Sequence, residues 1–105
     1  SMSSELLHLK AVLEDYKGDT LTARRDFLRA DSAYTIKIQQ VAQDSLMYGF
    51  ARIEKALNLS LMQNDFRPFQ EEIAFYERVH SSPINGIEQW KQISDKATYY
   101  RKLFE

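Results

Sequence analysis

The sequence predicts an all-α domain of about five antiparallel helices, built either as a helical bundle or as a stack of helical hairpins. Three observations carry that expectation. Breakers are sparse, with three Gly and two Pro in 105 residues, below average usage. Good helix formers such as Leu, Ala, Gln, Glu, Lys and Arg are plentiful. Apolar residues recur at spacings of three and four over long stretches, the period of one helix face.

The first helix is expected over residues 4–17. Leu6, Leu9, Leu13 and Tyr16 recur at spacings of 3, 4 and 3, an apolar stripe of the kind a helix turns towards a core. Leu7 and Val12 widen it. Ser3 and Ser4 suit the N-cap, and Glu5 suits the positive end of the helix dipole. Lys17-Gly18-Asp19 forms the next turn, with Gly18 in the left-handed conformation that ends helices.

A second helix is expected over 20–43, carrying Ala23, Phe27, Ala30, Tyr34, Ile38 and Val41 inwards. It is read as continuous through Asp31-Ser32, although both residues compete for backbone hydrogen bonds. Asp44-Ser45 caps a third helix over 45–63, with Leu46, Phe50, Ile53, Leu57 and Leu61 on one face. Asn64-Asp65 makes a turn, and Pro68 fits the first turn of a fourth helix over 66–80. Phe66, Phe69, Ile73 and Tyr76 line its inner side. Ser81-Ser82-Pro83-Ile84-Asn85-Gly86 is the clearest loop. A fifth helix over 87–104 is expected to bury Ile87, Trp90, Ala97, Tyr100 and Phe104.

Short turns between these helices place residues 1–105 in one domain. Hydrophobic content of 44%, with six Tyr, six Phe and one Trp, supplies a core without metals or disulfides. Cysteine is absent, which removes disulfides, thiolate zinc sites and thiol nucleophiles together. Fourteen basic residues against fifteen acidic ones give a net charge of −1. That balance lacks the basic excess by which nucleic-acid binders neutralise phosphates, so no nucleic acid is expected. Nothing approaches a membrane span or a signal peptide, and a cytoplasmic location is expected. Ser1-Met2 reads as an addition ahead of the native chain, and the abrupt close at Leu103-Phe104-Glu105 reads as that of an excised fragment. The polar residues of the fifth helix (Glu88, Lys91, Gln92, Ser94, Asp95 and Lys96) would equally suit a capping helix.

The stretch from Gly18 to Ala30 resembles the second half of a tetratricopeptide repeat. That family places a Gly-Asp turn, a small residue, an aromatic four later and a small residue three after that. Gly18, Asp19, Ala23, Phe27 and Ala30 fall on these positions. Leu7 and Ala11 suit the family's first helix, whereas Lys10 and Glu14 stand where it keeps apolar residues. Asn64-Asp65-Phe66 mirrors the turn, followed by Phe69, Ile73 and Tyr76. The two turns lie 46 residues apart, against the family's usual spacing of about 34. The resemblance, carried over roughly residues 5–34, implies a divergent long-helix repeat of the kind found in bacterial regulatory and sensor proteins.

Catalytic constellations are missing. His8 and His80 have no second ligand at helical metal-site spacing, and both are expected at the surface or its boundary. Glu14-Asp15, Glu71-Glu72 and Glu54 are expected to point to solvent rather than to form an acid–base pair. No catalytic residue, cofactor or metal is assigned, and the chain is not expected to be an enzyme. Arg24, Arg25 and Arg29 are matched by Asp15, Asp19, Asp26 and Asp31, which predicts a solvated, self-paired face. Tyr48, Tyr99 and Tyr100 divide between packing and a recognition surface. Phe75 falls off the inner stripe, either as a second core face or as an exposed patch.

The resemblance implies a protein-interaction module that binds a peptide or helix of another protein in a groove between the first and third helices. His8, Val12 and Asp15, with Glu54, Asn58 and Leu61, match the groove-facing positions. Two alternatives stand beside it: a small-molecule-sensing bundle with a cavity closed by the aromatics of the fifth helix, and a structural domain that pairs with a second copy.

Overall fold

A computed structural model describes the chain at residues 2–80 and 85–105. It is all-α, with six helices and no strand among the described residues. They are α1 (Ser4–Tyr16), α2 (Thr20–Gln40), α3 (Leu46–Gln63), α4 (Arg67–Val79), α5 (Asn85–Lys91) and α6 (Lys96–Phe104).

The boundaries follow from local chemistry. The Ser3 hydroxyl accepts the Leu6 N–H at 3.2 Å and opens α1. Gly18 sits at φ 92°, a conformation that costs glycine little, and turns the chain so that Asp19 can cap Thr22. Helix α2 runs straight through Asp31-Ser32. The Ser32 and Thr35 hydroxyls bond back to the Leu28 and Asp31 carbonyls and leave the helical ladder intact. It stops at Gln40 rather than at residue 43, because Val41 is extended. Ser45 caps α3 by accepting the Tyr48 N–H at 3.1 Å. Asn64, in the left-handed region at φ 52°, ends it.

The expected single fifth helix is two helices. Asp95 is extended and accepts the Thr98 N–H at 2.7 Å, so it restarts the helix rather than lying inside one. Asn85 and Gly86, expected in the loop, open α5. Residues 81–84 of that loop lie outside the described residues. The break resets the phase of the apolar pattern. Ile87 is buried as expected, but Ile93 and Tyr99 join it, while Ala97 and Phe104 stay exposed.

Helices α1 to α4 pack as successive neighbours. The main core joins Ala11 and Val12 of α1, Ala23 and Phe27 of α2, and Ile53, Leu57 and Leu61 of α3. Phe69, Ile73 and Tyr76 of α4 complete it, together with Ile87, Ile93 and Tyr99 from the C-terminal arm. Fully burying one such Phe, Leu or Ile contributes about 1.5–3 kcal/mol.

The largest departure from expectation is the orientation of α1. Its 3-4-3 stripe faces out: Leu6 is 57% exposed, Leu9 48%, Leu13 39% and Tyr16 51%. The buried face carries Ser4, Leu7, His8, Ala11 and Val12 instead. Small residues explain the choice. Ala11, Ala23 and Ala30 are almost wholly buried, and alanine at a helix crossing lets two backbones approach closely. The larger Leu stripe would hold them apart.

Candidate functional site

Two features converge where the C-terminal arm crosses α1 and α3: a buried polar relay and a cavity. The relay begins at Asn58, whose Nδ2 donates to the Phe27 carbonyl at 2.8 Å. That contact fixes the amide, so Asn58 Oδ1 faces His8 Nδ1 at 2.9 Å and accepts its proton. With Nδ1 protonated, His8 Nε2 is an acceptor, and the Tyr99 hydroxyl donates to it at 3.0 Å. All three side chains are buried. Burial lowers the pKa of His8, with the Asn58 hydrogen bond opposing. Burial and the Glu54 charge raise that of the Tyr99 hydroxyl. Both groups are therefore held neutral, as their hydrogen bonds require.

A second tie lies one to two turns further along α1. Asp15 receives the Tyr100 hydroxyl and the Lys96 ammonium, the latter at 2.9 Å. Beyond it Tyr16 stacks on Phe104, with ring centroids 4.6 Å apart.

The cavity, of about 310 Å³, is lined by apolar groups of Leu9, Leu57, Trp90, Ile93 and Leu103. Its polar groups come from Glu5, His8, Tyr34, Glu54 and Lys102 among others. Glu5 is paired with Lys37. Glu54 differs, because its Oε2 is buried and has no hydrogen-bond partner. Burial raises the Glu54 pKa, with the Lys37 charge opposing.

The six residues expected along a groove therefore divide. Val12 and Leu61 are wholly buried core side chains, and Asn58 and His8 are spent on the relay. None of these four is open to a partner, since each is buried. His8 is likewise not at the surface or its boundary, as expected, but inside. Asp15 is taken by α6, and Glu54 alone presents an unpartnered atom. Of the six, His8 and Asp15 bond to the arm, a segment of the chain itself.

Other expectations resolve as follows. Asp26 lies inside, not on a solvated face, and accepts Lys10 Nζ at 2.5 Å and Arg29 at 3.1 Å. Burial would raise its carboxyl, yet contacts with Glu14, Lys10 and Arg29 hold it well below the usual carboxylate range. Lys10 thus has a reason to occupy an inward position. Phe75 is 37% exposed beneath the Arg52 guanidinium, 4.3 Å from its ring centroid. Among the described residues no three His, Asp or Glu side chains are grouped as metal ligands would be, and no helix is long and apolar enough to cross a membrane. Trp90, an aromatic of the expected fifth helix, lines the cavity, and Ile93 joins it from the break between α5 and α6.

Comparison with protein-family models, curated proteins and solved structures finds no match.

Proposed function

We propose that the chain is a non-catalytic protein-interaction module of tetratricopeptide-like design, which takes an amphipathic helix of a partner protein along the outer side of α1. The observation that carries this reading is the exposed row of Leu6, Leu9, Leu13 and Tyr16. An apolar row this long is rarely left uncovered on a protein that acts alone. Its 3-4-3 spacing is that of a coiled-coil seam, whose natural complement is another helix with the same spacing. Leu103 and Phe104, both exposed, widen the row from the α6 side. The Gly18 turn and the buried Ala23, Phe27 and Ala30 support the repeat-like reading of the α1–α2 hairpin.

Charge selects among occupants. The acids beside the row are engaged: Glu5 by Lys37, Glu14 by Lys10 and Asp15 by Lys96. Lys17, Arg101 and Lys102 are exposed and form no ion pair among the described residues. A helix with an apolar seam and acidic flanks meets this surface with opposite charge, whereas a second copy would bring the same charges together.

The test is fluorescence anisotropy with a synthetic helix of about 18 residues, long enough to match α1. One peptide carries Leu at 3-4-3 spacing with Glu flanks, and a second carries Lys flanks. The Glu peptide should bind, with affinity falling as salt rises, and Leu9→Asp or Leu13→Asp should weaken it at least tenfold. Equal binding of both peptides, or none by either, overturns the reading. Light-scattering mass that doubles between micromolar and millimolar protein would transfer the face to a second copy.

A further inference from the structure

We infer that a second cavity, between α3 and α4, binds a small aromatic carboxylate, held through its charged group by Arg52. The cavity measures about 220 Å³ and shares no lining residue with α1 or with the α5–α6 arm.

Polar chemistry decides the ligand's head. Among the described residues of the lining, Gln43, Tyr48, Arg52, Tyr76 and His80 can all donate a hydrogen bond. Only Glu72 is restricted to accepting, and its Oε1 is already taken by Arg52 Nη2 at 2.9 Å. That contact draws on one nitrogen of a guanidinium that carries five N–H donors. The Arg52 side chain is 28% exposed, so its fork is open to a ligand. Arg78 adds a second guanidinium, 5.9 Å from the Phe75 ring centroid, and forms no ion pair among the described residues. Two such charges against the one of Glu72 leave the site positive. Tyr48 and Gly49 stand in the first turn of α3, at the positive end of its dipole. A ligand carboxylate answers both this charge and the surplus of donors.

The walls decide the ligand's body. Tyr48, Phe75 and Tyr76 present rings, and Val79 is aliphatic. The Arg52 guanidinium lies 4.3 Å from the Phe75 centroid and 5.6 Å from that of Tyr48, so both rings help to hold it in place. A bare inorganic anion would leave these walls wet, whereas an aromatic ring covers them. The volume falls below the range of about 300–1,000 Å³ for drug-sized ligands, and it suits one ring bearing one carboxylate. Val79, 56% exposed, stands at the mouth.

Benzoate is the probe, titrated to millimolar concentration and followed by amide NMR shifts of the whole chain. The Gly49, Arg52, Phe75 and Val79 signals should move saturably. Benzamide, the neutral isostere, and acetate, which lacks the ring, should each bind at least tenfold more weakly. Arg52→Gln should weaken benzoate at least tenfold with an unaltered far-UV spectrum. Should that variant fail to fold, Val79→Trp, a change at the exposed mouth, should block entry and weaken binding similarly. Benzamide or acetate equal to benzoate, shifts confined to other residues, undiminished binding by either folded variant, or no saturable response overturns the assignment.

Discussion

The Tyr99 hydroxyl on the last helix donates to His8 Nε2 on the first, at 3.0 Å and across 91 residues of chain. It is a closure contact. The Asn58 amide behind it sets the tautomer of the imidazole, so the bond has one direction and one proton arrangement.

Tyr99→Phe keeps the ring and removes the donor, leaving His8 Nε2 buried and unpaired. The expected cost is about 1–2 kcal/mol, a fall in Tm of roughly 5–10 °C for a domain of this size. Urea unfolding should show a lower midpoint with an unchanged slope. An undiminished midpoint would mean that the relay contributes nothing to closure.

Asn58→Leu fills nearly the same space but strands two groups, the His8 Nδ1–H and the Phe27 carbonyl. It should destabilise by about 2–4 kcal/mol, more than Tyr99→Phe. Adding Tyr99→Phe to Asn58→Leu should cost less than the two separate losses combined, since the relay is already broken. Additive losses in a double-mutant cycle would refute a coupled network.

Acid should weaken the fold in two stages. Burial lowers the His8 pKa below its ordinary value of 6.5, so the unfolded chain takes up that proton first. The contribution of neutral His8 is complete above pH 6.5 and declines as pH falls from there towards the folded value. Asp26 has a folded pKa below its ordinary 3.8, so its contribution is present above 3.8 and is lost as pH falls further. Glu54 acts in the opposite sense, since burial raises its pKa and protonation relieves the folded state. Chemical denaturation from pH 8 to pH 3 should show the first decline, and His8→Gln should flatten it. A first stage that persists in His8→Gln would assign it elsewhere.

Gly49→Ala tests the approach of α3 to Tyr76 of α4. A Cβ there would stand 2.5 and 2.7 Å from two Tyr76 ring carbons. The ring is buried and must shift towards the adjoining cavity of about 220 Å³, giving up part of its packing. The variant should lose about 1–3 kcal/mol, and Tyr76→Leu should recover part of that loss in the double variant. A thermal midpoint equal to wild type would show that the crossing relaxes freely.

The sequence made α2, α3 and α4 legible because each carries a long apolar face, with Asp19 and Ser45 capping α2 and α3 and Pro68 in the first turn of α4, although Leu46 at the start of α3 stays exposed. Phe27, Phe69, Ile73 and Tyr76 are all buried as their spacing predicts. For α1 the same reasoning chose the wrong face. Hydrophobic spacing registers bulk, whereas the buried face of α1 carries the small Ala11 and a His8 that finds partners 50 and 91 residues away. Those partners are invisible to local periodicity. The break before α6 is not legible in the sequence, because Ser94-Asp95 reads as a tolerable polar pair within a helix. Only the docking of Ile93 and Tyr99 on opposite sides of it makes a restart the better solution. Of the candidate site, repeat-like register brought forward His8, Asp15, Glu54 and Asn58, but could not reveal that the arm lies across them.

That closure also orders assembly. Contacts from α1 to α4 join sequence neighbours, a low-contact-order arrangement that forms quickly. The His8–Tyr99 and Asp15–Tyr100 contacts close far longer loops and bear the larger entropy cost. The four-helix stack is therefore expected to condense first and the arm to seal it afterwards, so the seal should give way before the stack when the native protein breathes.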